Sequence, residues 1–171
     1  TQHLVDKGVR IVVLTNSLAS NNHVAVHGGY ARYRKDIIRT GVELYEARAN
    51  AAREVQGTDA GPDTLTLHTK AFLIDRRYLF AGSLNLDPRS IRINAEMGLL
   101  IDSAEMVAGM AERLTERLPA VAWRVVLNQQ AKLEWHGRIN GEALIETQEP
   151  QTSGWLRFKA WLLRIVPDSQ L

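Results

Sequence analysis

Apolar and polar positions along this chain change period several times, and each change marks a candidate element. Lys7-Gly8-Val9-Arg10 leads into Ile11-Val12-Val13-Leu14, a continuous run rich in β-branched residues of the kind a parallel strand covered on both faces carries. From Asn21 or Asn22, either of which can cap, the spacing predicts a helix to about Thr40, with Gly41 at its C-terminal stop. Val26, Tyr30, Tyr33 and Ile37 give that helix one apolar stripe, weakened by Gly28 and Gly29. Val42 to Glu46 reads as a second short strand, so strand, helix and strand in succession predict a right-handed βαβ unit.

The segment from Ala47 to Asp63 carries Gly57, Gly61 and Pro62 and reads as loop. Leu65 to Ile74 and Tyr78 to Ala81 are strand-like runs joined by Asp75-Arg76-Arg77, which predicts a hairpin or a close pair. Ala95 to Ile101 is a further strand, and Asp102 or Ser103 caps an amphipathic helix expected to end near Leu118-Pro119. Beyond it the pattern loosens into alternating pieces around Trp123 to Leu127 and Lys132 to Trp135. The tail from Gly154 to Val166 is an amphipathic helix with Trp155, Leu156, Phe158, Trp161 and Leu162 set among Arg157, Lys159 and Arg164. These elements predict an α/β fold, a mixed central sheet flanked by helices on both faces, with residues 1–171 forming a single domain.

Composition narrows the function classes. The chain has 171 residues, 45% of them hydrophobic, enough to bury one sizeable core. Its longest apolar runs fall far short of the roughly 20 residues a membrane-spanning helix needs. Cysteine is absent, which removes disulfides, Cys-ligated zinc and thiol nucleophiles and is compatible with a reducing compartment. A net charge of +2 gives no field that by itself argues for nucleic acid. The chain starts at Thr1 with no leader of the secretory type, so the expectation is a piece cut from a longer protein.

One stretch concentrates chemistry: His68-Thr69-Lys70, Asp75, Gly82-Ser83-Leu84-Asn85, and then Glu96. On a strand, His68, Lys70 and Phe72 share one face while Leu67, Thr69 and Ala71 share the other, so an imidazole and an ammonium lie side by side. Lys70 supplies a point charge for a phosphate. The Ser83 hydroxyl and Asn85 amide, at the end of the next strand, can donate to non-bridging oxygens as charge develops on them. Glu96 can accept the second ring N–H of a histidine and fix its tautomer. A lone strand histidine is more often structural; it is the whole set that points to attack on a phosphate ester.

The spacing from His68 through Asn85 resembles the HKD signature of the phospholipase D superfamily, H-x-K-x4-D-x6-G-S-x-N, at every defining position. The flanks Asp87-Pro88-Arg89-Ser90 and Ile93-Asn94-Ala95-Glu96 look like those of bacterial cardiolipin synthases and their relatives. Leu14-Thr15-Asn16-Ser17, the helix with His27, Tyr30 and Arg34, and the C-terminal end extend the similarity over essentially the whole chain.

The resemblance implies a two-histidine mechanism without metal or cofactor, in which one HKD histidine forms a phosphohistidine and its counterpart moves the protons. It implies that lysines and Asn bind the phosphate and that Asp75 orients local structure, against a simple turn-capping role. It also implies a phospholipid substrate such as phosphatidylglycerol, phosphatidyl transfer or phosphodiester hydrolysis, and a peripheral place at the cytoplasmic face of the bacterial inner membrane. The other histidines, His3, His23, His27 and His136, lack a lysine two residues on, so the chain carries half a site. The other half comes from a missing N-terminal HKD half or from a second copy. Nucleic acid as substrate of a homodimer, or a non-catalytic half-domain kept for assembly, are the rival readings.

His27, Tyr30 and Arg34, at i, i+3 and i+7, form either a polar wall for a glycerophosphate headgroup or a solvated helix face with a core tyrosine. The tail helix lies in a membrane interface or docks on the domain.

Overall fold

The computed structural model describes residues 1–21, 23–51, 66–85, 88–139 and 141–163. They fall into two compact units, one from the described residues of Thr1–Leu67 and Leu118–Val166, the other from those of His68–Arg117. The chain is α/β, with a mixed sheet and flanking helices, as the alternation of periods predicts.

In the first unit a short helix α1 (Gln2–Asp6) precedes strand β1 (Val12–Asn16), helix α2 (Val24–Arg39) and strand β2 (Glu43–Ala47). Strands β1 and β2 pair in parallel from Val12 opposite Glu43 to Asn16 opposite Ala47, which makes the expected β-α-β connection. Strands β6 (Ala122–Leu127), β7 (Leu133–Ile139) and β8 (Glu142–Glu146) complete the sheet in the order β1-β2-β6-β7-β8. The last three pairings are antiparallel, so the sheet is mixed. Strand β8 was not expected; Asn140-Gly141 after an alternating run is the hairpin signal that points to it.

Register builds the core directly. Leu44 stands opposite Val125, and Val125 opposite Trp135, so three adjacent strands contribute one apolar row. With Trp123 these residues form the buried cluster, against which Val13, Tyr30, Ile37 and Ile38 pack from β1 and α2. At about 1.5–3 kcal/mol for each large apolar side chain buried, the row accounts for much of what holds α2 to the sheet. Residues two apart on β2 share a face, so the side that buries Leu44 also buries Glu46.

The stripe expected on α2 needs correction. Tyr30 and Ile37 do pack on the core, but Val26 and Tyr33 are each half exposed, and the buried face is His27, Gly28, Gly29, Ala31 and Arg34. The glycines are buried rather than merely weakening an exposed helix. The helix N-cap is His23, whose N–H bonds to the Asn21 side chain, so Asn21 acts two residues before the cap.

In the second unit, strands β3 (Lys70–Ile74), β4 (Tyr78–Gly82) and β5 (Gly98–Asp102) form a separate antiparallel sheet. A short helix α3 (Pro88–Arg92) lies between β4 and β5, and helix α4 (Ala104–Val121) follows β5. One central sheet was expected; the described strands make two. Ser103 caps α4, its Oγ accepting the N–H of Met106. Helix α4 continues past Pro119 to Val121, a little beyond the expected stop. Its last turn is secured from outside: Arg48 donates to the Ala120 carbonyl at 3.0 Å, and the Arg48 N–H bonds to Val121 O at 2.9 Å. A cation against the carbonyl end of a helix is favourable, which offsets the N–H that Pro119 lacks. Finally helix α5 (Gly154–Leu162) packs against α2, with Ser153 as N-cap accepting from the Leu156 N–H. Positions 164–166 of the expected tail helix lie outside the described residues.

Candidate functional site

The spacing of the phosphate-handling residues is the length of a hairpin. Lys70 opens β3 and pairs with Gly82, the last residue of β4, while Ile74 pairs with Tyr78 around the turn Asp75-Arg76-Arg77. Gly82 in turn pairs with Gly98 at the start of β5. His68, Lys70, Ser83, Asn85 and Glu96 therefore gather at one end of a three-stranded sheet, although they span 29 positions of sequence. His68 precedes β3 and is exposed, so the imidazole and ammonium sit at a sheet end, not at the sheet centre that was expected. Glycine at 82 is required because a Cβ there would collide with the Met97 carbonyl.

Lys70 Nζ lies 2.9 Å from His68 Nε2 and 3.0 Å from the His68 carbonyl oxygen. An ammonium only donates, so Nε2 accepts and the ring hydrogen of the neutral imidazole belongs on Nδ1. Ser83 Oγ donates to Glu96 Oε2 at 2.5 Å and accepts the Met97 N–H at 3.0 Å, while the Ser83 N–H bonds to Met97 O at 2.9 Å. The hydroxyl hydrogen is thereby engaged with a carboxylate. Ser83 clamps the approach to β5 and holds Glu96. Asn94 Nδ2 donates to the other Glu96 oxygen at 3.3 Å. Asn85 is exposed beside this group.

Asp75 lies elsewhere. It occupies the exposed turn at the opposite end of β3, roughly 16 Å from Lys70 by strand rise. Asp75 and Arg76 have φ of 51° and 54°, and the Arg77 N–H returns to Ile74 O at 3.0 Å, a tight turn in which Asp tolerates the left-handed conformation. Its geometry is that of a turn former.

The trio on α2 is drawn together, but neither as an open wall nor as a solvated face. His27 and Arg34 are buried and locked to two carboxylates that periodicity did not single out, Glu46 on β2 and Glu149 after β8. Arg34 donates to Glu149 Oε1 at 2.8 Å and to His27 Nε2 at 2.9 Å, and its Nε lies 2.8 Å from Glu46 Oε1. That last contact pairs charges at a poor angle, since Nε has no aligned acceptor. Tyr30 Oη and Trp135 Nε1 each donate to Glu46 at 2.8 Å, and the guanidinium lies over both rings, 5.2 and 5.3 Å from their centroids.

One guanidinium serving two carboxylates moves their titration apart. Burial alone would raise Glu149, but contact with His27 and the charge and hydrogen bonds of Arg34 outweigh it and hold Glu149 at about 2. Burial raises Glu46 despite Arg34. Because Glu149 is lowered on folding, its pairing stabilises fully above about pH 4.5 and is lost as pH falls towards 2, a contribution of roughly 3 kcal/mol. Glu46 works in the opposite direction, so the loss for the whole chain is smaller than that of Glu149 alone. Urea midpoints at pH 6 and pH 3 are expected to differ less for Glu149→Gln than for the unaltered chain; equal shifts would refute the assignment.

Among the described residues no group of three or more His, Asp or Glu side chains is placed to hold a metal ion, and no helix is long and apolar enough to cross a membrane.

Residues 2–118 match the family described as "Cardiolipin synthase, PLD-like domain". The chain is 39% identical over 167 residues to cardiolipin synthase C of Escherichia coli strain K12, which covers 96% of this chain and 35% of that protein. It is 31% identical over 169 residues to an uncharacterised protein of Helicobacter pylori strain J99, covering 98% of this chain and 33% of the other. A shorter match, 46% over 46 residues, is to cardiolipin synthase A of Cronobacter sakazakii. The chain thus spans about a third of the length of the curated relatives that match nearly all of it. No solved structure matches it.

Proposed function

Since this chain belongs to the PLD-like domain family of cardiolipin synthases, we propose that it supplies one of two HKD half-sites of a phospholipase D-type phosphatidyltransferase. The second half-site comes from a second PLD-like domain in a protein about three times this length, as the coverage of its relatives suggests. The substrate class is an anionic glycerophospholipid such as phosphatidylglycerol, met at the cytoplasmic face of the inner membrane by peripheral contact.

The observation that carries this reading is the contact of Lys70 Nζ with His68 Nε2, 2.9 Å, at the sheet end that also collects Ser83, Asn85 and Glu96. The histidine of the other motif attacks phosphorus and breaks the bond to the departing alcohol, and His68 as imidazolium gives that alkoxide its proton. With Lys70 turned from Nε2 to the phosphate, the neutral ring then takes the proton of the incoming hydroxyl on that nitrogen as its oxygen displaces the phosphohistidine. Lys70 and Asn85 hold the non-bridging oxygens, and Ser83 positions Glu96 next to them. Water in place of the alcohol gives hydrolysis by the same steps.

Incubating the intact protein with phosphatidylglycerol and separating the lipids is expected to yield cardiolipin and glycerol. Plasmid nicking without any lipid product would replace this reading with a nucleic-acid phosphodiesterase.

A further inference from the structure

We propose that helix α5 and the basic cavity it borders form the surface by which this chain docks on an anionic phospholipid bilayer. The helix has two stripes with different fates. Gly154, Arg157 and Ala160, three apart, line an open cavity of about 700 Å³ in the first unit, and Ala160 is buried. Trp155, Phe158 and Trp161, also three apart, remain 63%, 49% and 59% exposed, with Leu162 at 50% beside them. Docking on α2 therefore does not use the aromatics. They stack on one another instead, with ring centroids 5.7 and 6.1 Å apart, as a continuous apolar ridge on the surface. A soluble surface seldom leaves three large rings in a row, and a ridge of Trp and Phe is what the headgroup level of a bilayer accepts.

The charge beside the ridge fixes its occupant. Lys35, Lys132 and Arg157 line the cavity, and the Arg34 and Glu149 that line it with them are already engaged with each other and with Glu46 and His27. Lys35 Nζ donates to the Ala131 carbonyl and Arg157 to Thr152, so both side chains are held at the cavity rather than swinging free. Lys159 lies 5.2 Å above the Trp155 ring, which carries a further cation onto the ridge itself. Apolar rings flanked by fixed cations suit a bilayer whose headgroup phosphates enter the basic cavity while the rings enter the interface. A zwitterionic surface would accept the rings but offers no net negative charge to draw the cations.

The biological choice of bilayer rests on the phosphatidyl-transfer reading, but the surface shares no residue with the HKD group, so the two are tested separately. The intact protein is sedimented with vesicles of equal parts phosphatidylglycerol and phosphatidylcholine, and with phosphatidylcholine alone. Binding is expected to favour the anionic vesicles at least tenfold and to weaken as salt rises. The triple variant Trp155→Ala, Phe158→Ala, Trp161→Ala is expected to lose at least tenfold in affinity with its circular dichroism unchanged; Phe158→Asp is the second variant should the triple fail to fold. Lys35→Gln with Lys132→Gln is expected to remove most of the preference for anionic vesicles. His68→Ala is expected to bind vesicles as the unaltered chain does, so an inactive HKD group leaves the docking result standing. Equal binding to both vesicle types, undiminished binding by the aromatic variants, or a dimer that those variants convert to monomer in place of vesicle binding would each overturn the proposal.

Discussion

Replacing His68 with alanine in the intact two-motif protein is expected to reduce lipid turnover by roughly a thousandfold or more, the range lost with a group that both donates and accepts the transferred proton. The residue is exposed at a sheet end, so folding should be untouched, and circular dichroism with a thermal midpoint checks that. The variant also separates the two histidine roles. With a phosphodiester whose leaving group needs no proton, such as a nitrophenyl ester, His68→Ala should still form the covalent phosphoenzyme on the other histidine and then stall. Loss of that burst as well would make His68 the nucleophile. Full turnover would remove the HKD reading altogether.

The largest effect on stability is expected at Arg34, far in sequence from that chemistry. Arg34→Met keeps the length of the side chain and removes its charge, which leaves Glu46 fully buried without its cation and Glu149 with only His27. Breaking one partner out of such a buried pair typically costs about 3–5 kcal/mol, a large share of the stability of an ordinary domain. Urea unfolding of the chain would read it. Adding Glu46→Gln to Arg34→Met should recover part of the loss, because the amide still accepts from Tyr30 and Trp135 and no longer carries a charge. A cost below about 1 kcal/mol for Arg34→Met would mean that Glu46 is already protonated in the folded chain, the direction in which burial pushes it.

These two residues also mark what the sequence discloses and what it hides. The HKD group was legible because its spacing is local: a strand, a three-residue turn and the returning strand set the distance from Lys70 to Gly82, and a hairpin is a short-range object. The βαβ start and the strands from Trp123 were legible for the same reason, through β-branched runs and alternation. Arg34 was read correctly as a neighbour of His27 and Tyr30, yet its burial could not be read. The carboxylates that make burial tolerable stand 12 and 115 positions away, and no periodicity links them. A stripe containing Arg and His looks solvated, so Val26 and Tyr33 were placed inward when the helix is in fact turned to bury the ion pair. Ser83 shows a finer limit. Its position at the end of the second strand was legible, but the direction of its hydroxyl depends on Glu96 coming within 2.5 Å, which only the third strand brings about. Pro119 misplaced the end of α4 because a stop signal in sequence says nothing of an arginine elsewhere that secures the last carbonyls.

The four tryptophans are divided evenly between the two environments described above, Trp123 and Trp135 at 1% and 3% exposure, Trp155 and Trp161 near 60%. The chain therefore carries two optical populations without any label. Its blue emission belongs to the sheet core and its red, quencher-accessible emission to α5 alone, so events at the outer helix and unfolding of the interior are separable in a single unmodified sample.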